Sequence, residues 1–259
     1  MASDLSLLAC GLYHRHPTVG RVLENIGNNI TIVENRILEL PKEADDYISL
    51  HGPFYGRTLL ESVCIALVGR IDPFRLLVIK KVQESGDFGL GSRSKIAMKW
   101  SGDIVEEGMG SEALKKMWRP DLEFQKASRG LLGDYYGNLF WNPAYQGLLD
   151  ATADSPSGDC LADYRASTMP DYFTTRVRSD AFRLFSALSK GVHGELVIKA
   201  DLIYDKVTVL ELLSETMKLC GILSIASHML DSALCQMYLC QAIELYKKVK
   251  EGSDSYAAR

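Results

Sequence analysis

The stretch Leu210-Glu-Leu-Leu-Ser-Glu-Thr-Met-Lys-Leu-Cys-Gly-Ile-Leu-Ser-Ile-Ala-Ser-His-Met-Leu230 decides the fold class. Its apolar residues recur at three and four, and from Leu219 onward they cover most of a helix circumference. Leu219 to Leu230 contains no acid, lysine or arginine. That run of 12 residues is short of the roughly 20 that a membrane span requires, and Asp231 follows at once. It reads as a buried core helix. The same periodicity continues downstream, so Asp205 to Lys250 is expected to be one very long helix or two helices meeting between Ser227 and Ser232.

Working outward, Gly56 to Gly69 carries Leu59, Leu60, Val63, Cys64, Ala66 and Leu67 on most of its faces and should also sit centrally. Asp72-Pro73 supplies an N-cap followed by proline at the first helical position, and Phe74 to Glu84 completes that helix. Pro17 to Leu40 is helical by the spacing of Val19, Val22, Leu23, Ile26, Ile30 and Ile37, and Pro41 ends it. Lys42 to Gly56 contains Pro53 and two glycines and reads as a connector. Tyr135 to Ala153 is expected to be helical with a break at Asn142-Pro143, and a further helix runs from Pro170 or Asp171 to Gly191. Ser85 to Gly133 is glycine-rich and reads as an irregular insertion with one or two short helices. The one stretch that suggests a strand is Glu195 to Lys199. Together these features predict an all-α helical bundle, a single domain over residues 1–259, with the insertion at 85–133 decorating one end.

Composition bounds the function. The chain has 259 residues, 47% hydrophobic and 24% charged, a formal net charge of −4 and a pI near 5.8. These are ordinary globular values, and the acidic balance argues against a surface built to hold long stretches of nucleic acid. The six cysteines form no C-x-x-C pair and read as reduced core residues. His14, His16, His51 and His228 lack metal-ligand spacing, so no metal and no cofactor is expected. Gly86 to Ser92 imitates the start of a phosphate loop but has serine where lysine is needed. The N-terminus lacks the basic region of a secretory signal, which points to the cytoplasm.

The chemistry-bearing residues concentrate at the end of the helix before Gly191. Arg183 and Lys190 are seven apart, as are Ser186 and His193, so each pair lies within about 20° on a helical wheel. A histidine that titrates near neutrality can act as acid and base, with Ser186 or Ser189 orienting the ring and Arg183, Arg178 or Lys190 holding a phosphate. The bland alternative is a helix terminus in which Gly191 ends the helix, Lys190 offsets the dipole and His193 bonds the last carbonyls. Arg57, Glu61, Arg70, Asp72 and Arg75 are embedded in the most apolar third and are expected to pair with one another or line a groove.

The central Gly56-Arg-Thr-Leu-Leu-Glu61 helix, Asp72-Pro-Phe-Arg75, and Leu184-Phe-Ser-Ala-Leu-Ser189 leading to Val192-His193-Gly194 and a long helix together resemble the HEPN superfamily. The likeness covers mainly residues 56–84 and 171–249. It implies a helical bundle, a homodimer and metal-independent RNA cleavage in a defence or toxin setting, with His193 as acid/base and Arg183, Ser186 and Ser189 beside it. Active members of that superfamily carry an arginine shortly before the histidine. Here Phe185 to Ser189 contains none, and the nearest is Arg183. Two other readings come from the residues themselves: a non-catalytic module that dimerises or docks a partner protein through the Leu219 to Tyr246 face, and a small-molecule pocket near Trp100, Trp118 and Trp141.

Overall fold

The computed structural model describes residues 2–84, 96–99, 102–105, 130–153, 155–190 and 204–257. Along these the chain forms α1 (Asp4–Cys10), α2 (Pro17–Glu39), α3 (Asp45–Ile71), α4 (Pro73–Gln83), β1 (Ile96–Lys99), β2 (Gly102–Val105), α5 (Asn142–Ala151), α6 (Ala162–Ser167), α7 (Phe173–Lys190), α8 (Lys206–Ala226) and α9 (Leu239–Ala257). The expected all-α bundle is present. Its axis is α8, which packs against α3, α9, α1 and α7. Because α8 is apolar all round, it can be satisfied only by neighbours on every side, and Leu213, Met217, Ile222, Leu223 and Ile225 are fully buried. No described helix is long and apolar enough to cross a membrane.

The long C-terminal pattern resolves into two helices, and the second begins at Leu239, beyond the expected junction. A 3-10 turn, Ser227–Met229, and an irregular segment separate them. The Leu219 to Tyr246 face proposed as a docking surface is core instead: Leu219, Leu223, Ile243 and Tyr246 are all buried. Neighbouring helices already cover it.

The expected connector from Lys42 to Gly56 is also corrected, since α3 is continuous through Pro53. Gly52 and Gly56 are approach points rather than breaks. A Cβ on Gly52 would lie 2.3 Å from Val209 Cγ1, and one on Gly56 would lie 2.9 Å from the Cδ2 atoms of both Leu188 and Leu213. The close crossing of α3 with α7 and α8 outweighs a propensity cost of about 1 kcal/mol per glycine and about 3 kcal/mol for the proline. Likewise the helix does not break at Asn142-Pro143. A π-helical turn, Gly137–Trp141, runs directly into α5, with Pro143 in its first turn where a missing N–H is tolerated.

Within the insertion, Ile96–Lys99 and Gly102–Val105 pair antiparallel with Ile96 opposite Val105, where short helices were expected. Two residues separate the strands in sequence, a spacing suited to a hairpin. The remaining insertion residues at 85–95, 100–101 and 106–129 lie outside the described residues, as does Glu195 to Lys199.

Of the charges embedded in the apolar third, Arg57 pairs with Glu61 at 3.3 Å and Arg75 with Asp72 at 3.1 Å. Arg70 departs from that expectation. It is fully buried near the end of α3 and its guanidinium is held by neutral acceptors: Leu234 O at 2.9 Å, Ala9 O at 3.2 Å, Ser227 Oγ at 2.6 Å and His228 Nδ1 at 3.1 Å. His228 Nε2 lies 2.9 Å from Leu8 O, so the ring carries its proton on Nε2 and accepts at Nδ1. Burial first, then the Arg70 charge, pushes His228 down to about 3 and keeps it neutral. An ammonium cannot serve four acceptors spread around a planar fork. Arg70→Lys is therefore expected to lower stability by about 2 kcal/mol or more, read as a lower urea midpoint.

The start of α1 rests on a second buried charge. Ser3 Oγ donates to Glu34 Oε2 of α2, and the backbone amides of Leu5 and Ser6 also bond this carboxylate. Burial outweighs those bonds and raises the carboxyl pKa from 4.5 to about 7. The folded state thus binds this proton more tightly than the unfolded chain. The resulting stability is fully present below pH 4.5 and is lost as pH rises through about 7, a swing of about 3 kcal/mol. Glu34→Gln should flatten stability against pH across that window, as measured by urea unfolding at pH 5 and pH 8.

Candidate functional site

α7 is placed from both ends. Asn142 Oδ1, at the head of α5, accepts from Thr174 N at 3.0 Å and Thr174 Oγ1 at 2.7 Å, capping the first turn of α7 from a neighbouring element. Behind it the Tyr145 and Phe173 rings stack at 4.2 Å. Val177, Ala181, Leu184 and Leu188 form its buried stripe, which orients the polar residues on either flank.

On one flank, Arg176, Arg183 and Lys190 recur every seven residues and share a face. Arg176 and Arg183 line a groove of about 360 Å³ between α7, α8, α6 and α9. Lys218 of α8 and Lys250 of α9 also line it, above a floor that includes Tyr164, Leu219 and Tyr246. Every cation in the groove has a carboxylate partner. Arg183 is held by Glu215, Arg176 lies 3.8 Å from Asp180, Lys218 2.7 Å from Asp254 and Lys250 2.8 Å from Asp163. The Lys250 ammonium holds the Asp163 carboxyl below its ordinary value. Burial raises the phenol pKa of Tyr164 and of Tyr246, so the floor is neutral. The Tyr145 hydroxyl is buried with no hydrogen-bond partner among the described residues, and burial pushes its pKa up to about 12.

Arg178 lies on the opposite flank, 140° or so around the helix from Arg183, and pairs with Asp134 at 2.6 Å. The structure thus separates the two arginines expected to share a phosphate. Ser186 and Lys190 are exposed, while Ser189 Oγ donates back to Phe185 O at 2.6 Å. His193 lies outside the described residues, as do Trp100 and Trp118. Trp141 is buried and donates to Leu131 O at 2.6 Å. Among the described residues no group of three His, Cys, Asp or Glu is placed to hold a metal ion. Cys10, Cys64, Cys220 and Cys235 are buried free thiols, Cys160 is half-buried and Cys240 is exposed.

Arg176 was within reach of the sequence, since it continues the seven-residue series of Arg183 and Lys190. Lys218, Lys250, Tyr164 and Tyr246 were not, because only packing brings α6, α8 and α9 to the same groove. Comparison of the chain with protein-family models, with curated proteins and with solved structures gives no match.

Proposed function

We propose that this chain is a cytosolic, HEPN-like protein that binds single-stranded RNA along the groove beside α7. One observation carries the reading: four cations from three helices, Arg176, Arg183, Lys218 and Lys250, line one groove. Cations hold backbone phosphates without regard to sequence, and of the two floor tyrosines only half-buried Tyr164 reaches the groove surface, since Tyr246 is buried. The net charge of −4 suits a short local contact better than an extended one. An arriving phosphate must displace Glu215 or Asp180 from its arginine, so binding is weak and competitive with the protein's own carboxylates. His193 follows three residues after Lys190 in sequence, and as acid/base it would turn the same contact into metal-free cleavage.

Fluorescence anisotropy with a labelled oligoribonucleotide tests this. If all four cations are used, log K should fall against log salt with a slope of about −3. Arg183→Glu should weaken binding at least about tenfold and Glu215→Gln should tighten it several-fold, because the first reverses and the second releases the phosphate-binding charge. An affinity indifferent to both changes would refute the groove as the RNA site. For the catalytic arm, cleavage that persists in chelator and disappears in His193→Ala is the expected result, and cleavage unchanged in that variant removes His193 from the chemistry.

A further inference from the structure

Arg176 is held differently from the other cations of the groove. Arg183 is bonded to Glu215, Lys218 lies 2.7 Å from Asp254 and Lys250 2.8 Å from Asp163. Asp180, by contrast, stands 3.8 Å from Arg176 and 4.0 Å from Arg183, beyond hydrogen-bond reach of either. Hydroxyls anchor the Arg176 guanidinium instead. Its Nη1 donates to Ser167 Oγ at 2.5 Å and to Oγ1 of the buried Thr168, where α6 ends, and its central carbon lies over the Tyr164 ring at 5.1 Å. Both N–H groups of Nη1 are used, which fixes the plane of the fork. The other edge, Nε with Nη2, has no hydrogen-bond partner among the described residues. That edge lies toward Asp180, itself a lining residue of the groove.

We infer that, with RNA in the groove as proposed above, Arg176 and Ser167 form an end site for a terminal phosphomonoester of the strand. Two parallel N–H groups on one edge of a guanidinium match two oxygens of a phosphate. Ser167 supplies a third donor: it is exposed, and its hydroxyl, which now donates to Asp163 O, can rotate toward an oxygen seated beside Nη1. A phosphodiester within a strand offers two unesterified oxygens, whereas a phosphomonoester offers three and carries close to a second charge. The donor set therefore fits the monoester better. Its place fits too, because Arg176 is the lining residue of α7 nearest the N-terminus of that helix and so stands at one end of the groove wall. A phosphate seated there occupies the space beside Nε that Asp180 approaches, so this acid opposes binding.

The test compares one internally labelled oligoribonucleotide in three forms by anisotropy with the full chain: hydroxyl at both ends, phosphate at the 5′ end, and phosphate at the 3′ end. One phosphate-ended form should bind at least about tenfold tighter than the hydroxyl form, and which one does so gives the direction of the strand. Arg176→Lys keeps the charge but removes the fork, and should bring that ratio to within about twofold of unity. Ser167→Ala should lower the ratio roughly threefold, and Asp180→Asn should raise it. Lys218→Ala should weaken both forms alike, so the ratio separates an end site from a general loss of charge or of folding. Equal affinity for all three forms, or a preference that survives Arg176→Lys, overturns the inference. If no oligoribonucleotide binds, the RNA reading fails by itself, and calorimetric titration with uridine 5′- and 3′-monophosphate then decides the phosphate site: it stands if either nucleotide binds in preference to uridine and loses that preference in Arg176→Lys, and falls otherwise.

Discussion

Arg70 places a full positive charge in the middle of an apolar bundle and satisfies it with groups from three separated parts of the chain. A lone buried cation is costly, and the cost falls only when each N–H of the fork finds an acceptor. The carbonyl at Ala9 ends α1, Ser227 and His228 follow α8, and Leu234 belongs to the segment that leads into α9. The backbone answers in kind: Leu234 N donates to Arg70 O at 2.9 Å, and Leu12 N donates to Cys235 O at 2.8 Å. Four elements are thereby registered against one side chain. Burial lowers the Arg70 pKa to about 10, which still leaves the group charged under ordinary conditions.

That registration explains the shape of the C-terminal third. Hydropathy alone would let one helix run from Asp205 toward Lys250. The Leu234 carbonyl that Arg70 requires could not be offered from inside a helix, where it would already be used, and the chain leaves the helix after Ala226 and restarts at Leu239. The unwound segment contains Cys235 at φ 60, a left-handed conformation uncommon outside glycine. A helix-favouring sequence is overruled here by the need to solvate an internal charge.

What could be read from residues alone follows the same logic. α2, α4 and α8 were legible because their signals are local: Pro17 and Pro73 in the first turn, and Asp205, whose Oδ1 accepts from Thr208 N at 2.8 Å. The first half of α3 was hidden because Gly52, Pro53 and Gly56 signal a break locally, while the close contacts with Val209, Leu188 and Leu213 exist only in the assembled bundle. Arg70 was grouped with its neighbours in sequence as an ion pair, whereas its acceptors are uncharged and mostly far along the chain. In the groove, Arg183 was visible as part of a heptad series. Glu215, which holds it, was an unremarkable acid on another helix.

The same knot orders events during synthesis. Arg70 leaves the ribosome long before residues 227–234, which supply three of its four acceptors, so the nascent helix must carry a solvated guanidinium on a surface later destined to be dry. Closure around it waits for residues 227–234. A chain halted before that point would retain hydrophobic helices with no means of sealing them, and would be a natural substrate for chaperones rather than a slightly shortened protein.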